Sequence, residues 1–309
     1  MSKEYSKYLP FLTGQYSTTP GIQKLDKAET EFDRLVFQID DQYELYLENK
    51  KECRQESIHK YYHQSNYKPQ TAKVINEYII NQLGSEHPAV YELKNDRFCN
   101  RKTGESFGYN LGTGVVDSDH YIDLFDALCN QVQEDMAVFQ LTDESDYLTA
   151  VHLCAPNHWS PGAKIGKPFD AIHQPVADME ETIKRYPPML QSIVKLGSPF
   201  TRFAWGIATD IRLNHHPEAP EGVDKKEWEG RSSASDEDPI FIRVERQNLI
   251  GFPEVNAFLF TIRTYHYTVD ELTTSEKKQL WEAVKSMSPA TLNYKGLNEI
   301  LPELVRRLK

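Results

Sequence analysis

Apolar and polar residues alternate on a two-residue beat through Phe241-Ile-Arg-Val-Glu-Arg-Gln-Asn-Leu249. This predicts a strand with Arg243, Glu245 and Gln247 on one face and Ile242 and Val244 on the other. A Gly251-Phe-Pro turn leads into a second β-rich run, Ala257–Tyr265, in which Arg263 and Tyr265 share a parity. Phe139–Leu141, Tyr147–Cys154 and Phe200–Ile207 read as further strands, and the short connections among the last strands predict an antiparallel meander. Elsewhere the beat lengthens to three and four residues. Phe32, Leu35, Val36, Ile39, Tyr43 and Tyr46 predict a helix from about Asp26 to Lys50. Further helices are expected from about Thr71 to Gly84, Tyr121 to Glu134 and Val176 to Arg185, with Pro187-Pro188 interrupting before Met189–Leu196. Two more close the chain, at about Ser275–Met287 (with a Ser/Thr N-cap) and Leu297–Leu308.

Between these elements, residues 1–25 read as an irregular arm, 86–118 as short extended pieces with a Gly-rich loop, and 218–238 as a polar, acidic surface loop. The outline is α+β: an antiparallel sheet with helices packed around it. Residues 1–135 form a helical and irregular part packed on the core, and residues 136–309 form the sheet with the closing helices, together one compact unit.

Composition removes several classes of function. At 309 residues the chain can bury a full core, and 39% hydrophobic with 26% charged residues is ordinary for a globular protein. The net charge of -11 argues against nucleic-acid binding, which needs a basic surface. No apolar run approaches the roughly 20 residues of a membrane span. The opening MSKEYSKYLPFL lacks the layout of a signal peptide, so a cytoplasmic location is expected. Cys53, Cys99, Cys129 and Cys154 form no C-x-x-C pair, so neither disulfides nor a zinc cluster is expected, and Cys154 reads as a buried small hydrophobe. The loop Leu111-Gly-Thr-Gly-Val completes no phosphate-binding pattern.

Candidate chemistry rests on two places. His173 lies between Pro168 and Pro175 beside Ile172 and Val176. It is either a hydrogen-bonded core residue or a neutral imidazole held stiffly enough to ligate a haem iron. His152 alternates with Val151 and Leu153 and reads as a core residue, and the adjacent His215 and His216 read as loop residues. The charged strand face is either solvated, with cross-strand pairs worth under about 1 kcal/mol each, or a pocket wall. In the second case Glu245 receives a cation and the arginines hold carboxylates. Arg202, alone in Phe-Thr-Arg-Phe-Ala-Trp, needs a partner to be tolerated there.

Five blocks occur in order: Gln133-Glu-Asp-Met, His152 through Pro168, Ala171-Ile-His-Gln-Pro-Val, Arg243 through Leu249, and Leu259 through Tyr265. Together they resemble the α-subunit family of haem-dependent oxidative N-demethylases, over about Tyr8 to Leu272. The resemblance implies a PAS-like antiparallel sheet with N- and C-terminal helical additions, holding haem b. It implies a monooxygenase that converts a small secondary amine such as dimethylamine to methylamine and formaldehyde with O2. The electrons would come from NADPH through partner reductase subunits carrying flavin and an iron–sulfur centre. A non-catalytic PAS-type haem or gas sensor is the alternative. Carried onto this chain, the resemblance makes His173 the proximal haem ligand and places Glu245 at the protonated amine. Arg243 and Arg202 would polarise the distal site, and Lys164 or Arg263 would pair with haem propionates. One position departs from the family pattern: Ala204 stands where asparagine is expected before Trp205, which bears on substrate choice.

Overall fold

The computed structural model describes residues 7–231 and 238–308. Its eleven strands run in chain order β1 (Gln23–Lys24), β2 (Tyr62–Gln64), β3 (Tyr91–Lys94), β4 (Arg97–Asn100), β5 (Glu105–Asn110), β6 (Val115–Val116), β7 (Asp135–Leu141), β8 (Asp146–His152), β9 (Phe200–Ala208), β10 (Phe241–Phe252) and β11 (Ala257–Thr268). The helices are α1 (Tyr43–Tyr61), α2 (Pro69–Glu86), α3 (Leu124–Cys129), α4 (Pro161–Lys164), α5 (Phe169–His173), α6 (Glu180–Leu196), α7 (Lys225–Glu229), α8 (Thr274–Lys285), α9 (Pro289–Tyr294) and α10 (Leu301–Leu308). The main sheet is seven-stranded in the order β1-β9-β10-β11-β7-β8-β2, and its pairings are antiparallel. Both edge strands come from the first 64 residues. The extended pieces of residues 86–118 assemble into a second, four-stranded sheet, β3-β4-β5-β6. Among the described residues no helix is long and apolar enough to cross a membrane.

The β9–β10–β11 meander follows the alternation in the sequence, and its register fixes which residues share a face. Glu245 stands opposite Ala204 and Thr264, and Gln247 opposite Arg202 and Ile262. Arg246, one residue off that beat, stands opposite Phe203 and Arg263 and therefore points to the other side. The face bearing Glu245 is covered by α5 and α6 through Ile172, Leu190, Ile193 and Val194. On the other face Ile250 and Leu259 meet α2 and α3, while Ile242 and Val244 meet α8 and α10.

Several predicted helices take different bounds. Residues 26–42 hold only two short 3-10 turns, and α1 begins at Tyr43. In place of helical bonds, the Glu86 carboxylate accepts from the Val36 and Phe37 N–H groups (2.6 and 3.0 Å), and Glu134 accepts from Gln38 N–H at 2.8 Å. The helix expected over 121–134 shrinks to α3, capped by Asp123 on the Asp126 N–H, and strand β7 starts four residues earlier than Phe139. Helix α6 runs unbroken through Pro187 and Pro188. Both prolines are exposed, so the carbonyls of Ile183 and Lys184 that they leave without a helical donor lie toward water. Buried Leu190, Ile193 and Val194 hold the helix to the sheet. The tightest approach is at Gly251, where a Cβ would come within 2.2 Å of the Ile193 carbonyl oxygen. Part of the acidic loop forms α7, capped by Asp224, and residues 232–237 of it lie outside the described residues, as do 1–6 of the N-terminal arm. Helix α8 bears the expected cap: Thr273 accepts from the Glu276 N–H, and Glu276 accepts from the Thr273 N–H at 2.7 Å.

Candidate functional site

The covered face of the main sheet does not pack solid. Ala137, Phe139, Leu148, Leu249, Phe258, Phe260 and Ile262 from the strands face Trp159, Phe169, Ile172, Met179 and Met189 across a cavity of about 920 Å³, mouth included. That predominantly apolar lining with a few polar groups belongs to small-molecule and cofactor sites. Phe139 and Phe258 stack in parallel at 4.9 Å and make part of its floor. A small set of polar groups enters this apolar surround: His173, Lys164, Arg202, Glu245 and Gln247.

His173 is the last residue of α5, whose first residue follows Pro168. Its Nδ1–H donates to the Phe169 carbonyl at 2.8 Å, and its ring stacks on Phe169 with centroids 3.9 Å apart. Burial pushes its pKa down to about 4, and the positive charges of Lys164 and Arg202 add to the drop against the raising effect of the Phe169 bond. At neutral pH the imidazole is therefore neutral. With Nδ1 holding the proton, Nε2 carries the free lone pair, the state a metal ligand requires.

Lys164 closes α4, with its ammonium 4.2 Å above the Trp159 ring. Burial lowers its pKa to about 8, opposed by the attraction of Glu245. Arg202 donates from Nε to the Pro20 carbonyl at 2.9 Å, and no carboxylate closes an ion pair with it among the described residues. Glu245 accepts from Gln247 Nε2 at 2.9 Å and likewise has no ion pair, although its charge is felt by Lys164, Arg202, Arg243 and Lys295. Four of the six residues singled out from the sequence, His173, Lys164, Arg202 and Glu245, thus line one cavity.

The structure does not bring the other two there. Arg243 shares the face of Glu245, but its guanidinium turns away to the carbonyls of Arg212, Leu213 and Ala155 and to His215 Nδ1, and it lines an adjoining pocket. Arg263 lies on the opposite face. It pairs with Asp40 at 2.8 Å and is sandwiched by Tyr46 and Tyr265. Parity within β11 places Arg263 beside Tyr265, but the register against β10 sets it across from Arg246, one residue off the site's beat. Trp159, Phe169 and Lys295 had no role in the sequence reading. The first two are ordinary aromatics until the fold shows their ring partners, and Lys295 lies beyond the matching blocks, in a turn without a motif.

A potential metal-binding set also appears where the cysteine spacing suggested none. Ligand atoms of Asp135, His152 and Cys154 lie within 4.8 Å of one another, all buried. Asp135 is occupied by the N–H groups of Cys154 and Ala155 (3.0 and 2.7 Å), and the Lys50 ammonium stands 3.8 Å away. His152 Nε2 faces Asp126 at 3.2 Å. A cation is already supplied by Lys50, so this is a satisfied structural network.

The cavity thus combines a mostly apolar lining with a neutral imidazole, two cationic side chains and one carboxylate. Comparison with known families gives a match of the same character. The family model for haem-dependent oxidative N-demethylase, alpha subunit-like, matches residues 26–305.

Proposed function

The chain belongs to the haem-dependent oxidative N-demethylase alpha-subunit-like family, and from that premise we propose that it demethylates a small secondary amine of the dimethylamine type, with haem b bound in the cavity lined by His173. The observation that carries this reading is the meeting of His173, Lys164, Arg202 and Glu245, from four separate elements, around one apolar space. The central sheet is read as PAS-like.

The residues present fit the group. His173 would hold the iron through Nε2, Lys164 would hold a propionate, and the apolar floor would lie against the macrocycle. When bound, haem supplies a redox-active iron for O2 chemistry. The chain's own residues do the rest. Glu245 accepts the N–H groups of the protonated amine, and Gln247 Nε2 fixes the orientation of that carboxylate. Arg202 holds positive charge beside the reacting region without having to reorganise. Phe139, Phe258, Phe260 and Ile262 exclude water. In the overall reaction dimethylamine, O2, two electrons and two protons give methylamine, formaldehyde and water. One C–N bond breaks, the methyl carbon is oxidised, and the oxygen atoms divide between formaldehyde and water. The electrons are assigned to NADPH through flavin and iron–sulfur groups on partner subunits.

An absorption spectrum of protein produced with haem supply, then titrated with dimethylamine, tests this. The expected result is a haem spectrum that shifts with the amine and that loses its axial-ligand signature in His173→Ala. Absence of haem absorbance, or an unaltered ligand signature in His173→Ala, defeats the assignment. Haem without an amine-dependent shift points to a sensor.

A further inference from the structure

The sheet face that bears Glu245 continues past the cavity into a second pocket of about 750 Å³, mouth included, whose lining includes Asn157, His158, Arg231, Arg243, Tyr294 and Lys295. Its chemistry is one-sided. Three cationic side chains line it, and among the described residues no carboxylate does. Arg243 is only 2% exposed; its two Nη groups are held by main-chain carbonyls and His215, and among the described residues its Nε, like that of Arg231, has no hydrogen-bond partner. Arg231, itself partly exposed, makes a long ion pair of 3.9 Å with the half-exposed Glu229. Lys295 donates to the Trp205 carbonyl at 2.7 Å and has no ion pair among the described residues. His158 adds no compensating charge, since burial and the nearby Arg231, His215 and Arg243 hold it neutral. A buried ammonium such as that of Lys295 is costly without an anion, and arginine forks match carboxylates.

The register joins this pocket to the site. Arg243 pairs with Gly206, one step along the same face from the Glu245–Ala204 pair. At the boundary β9 offers only the Ala204 methyl group and then Gly206, where an added Cβ would meet nothing within 4 Å. Glu245 lies between the two spaces: it lines the first, and its charge reaches Tyr294 and Lys295 in the second.

We propose that the substrate is an N-methylated amino acid, its ammonium on Glu245 and its carboxylate among Arg231, Arg243 and Lys295. This rests on the demethylase reading of the first cavity and sharpens the class of amine it takes. Side chains two apart on one strand stand about 7 Å apart, so a short spacer between the two charges is required. An amine without a carboxylate leaves the second pocket's cations unmatched.

Calorimetric titration of the haem-containing protein with dimethylamine, N-methylglycine, N-methyl-β-alanine and 4-(methylamino)butanoate tests it. At least one of the three amino acids should bind about 10-fold or more tightly than dimethylamine. Arg231→Gln and Lys295→Met should each remove that margin and leave dimethylamine affinity within about twofold. Both variants should keep full haem content. Dimethylamine binding as tightly as all three amino acids overturns the inference, as does a margin that survives both substitutions. Loss of haem in both variants also overturns it, because the pocket would then serve the cofactor's propionates. Should Lys295→Met fail to fold, Arg231→Gln, on a partly exposed side chain, decides alone. The haem spectrum and the dimethylamine titration read the demethylase assignment separately, so a protein that binds dimethylamine and ignores the carboxylate sinks only this inference.

Discussion

Glu245 keeps its carboxylate in an apolar surround with one amide contact and no ion pair of its own among the described residues. Glu245→Gln keeps the shape and removes the charge. It should weaken amine binding by about 10-fold or more while haem content stays unchanged, as measured by calorimetry and absorbance; equal affinity would free Glu245 of the role. Arg263 makes the contrasting case, because its charge is spent on Asp40. Arg263→Met leaves that carboxylate buried without its cation, with Gln133 Nε2 and the Gln42 N–H still donating to it, so denaturant unfolding should show a loss of about 3 kcal/mol, with unaltered amine affinity in the protein that remains folded. Alternation in the sequence told which residues share a side of one strand, which is why Glu245 and Arg202 could be picked out. It could not tell how β11 registers on β10, and so Arg263 was legible as a charged strand residue but not as one facing away. His152 carries a pH dependence of its own. Burial works against its proton, but Cys154 and Asp126 outweigh this and raise its pKa from 6.5 to about 9. The folded state therefore holds this proton more tightly than the unfolded chain. Its contribution is complete below about pH 6.5 and is lost as the pH rises through about 9. The Tm difference between the native protein and His152→Gln should shrink across that interval; a difference that grows with pH would reverse the assignment.

Among the elements, α6 is held most closely at its C-terminal end. A methyl group at Gly251 has no room against the Ile193 carbonyl, so Gly251→Ala must push the helix off the sheet. The cost should be about 1–3 kcal/mol by denaturant unfolding, together with weaker haem retention, because Thr182 and Met189 of that helix line the cavity. Undiminished stability would mean that the helix gives way easily. The prolines in α6 misled the sequence reading because a local rule predicts a break wherever a donor is missing, and exposure decides whether the break follows. The segment before α1 misled it for a different reason. Its apolar spacing is real and Val36 and Phe37 are buried, yet Glu86 and Glu134 bind its backbone from about 50 and 96 residues away in the chain. No local pattern carries that information. Residues 86–118 were legible as extended but not as a sheet, since their pairing depends on turns that the spacing alone does not fix.

At the scale of the whole molecule the main sheet divides its labour by face. One side opens into the cavity and the cationic pocket, and the other is closed by the N-terminal segment and the terminal helices. The closed side is fastened largely by arginine and asparagine on main-chain carbonyls. Arg246 donates to the Asp33 and Leu35 carbonyls, and Asn248 donates to that of Val36. Those bonds join residues up to 213 positions apart, and this separation has a consequence in time. During synthesis the segment around Asp33 emerges first and its fasteners are made last. At about 5–20 residues per second it waits on the order of 10 to 40 s for Arg246. Until then its buried aromatics have only solvent, or a chaperone, to cover them. Stalled nascent chains ending before β10 should be cut by protease within residues 30–40, and chains extended past β11 should resist.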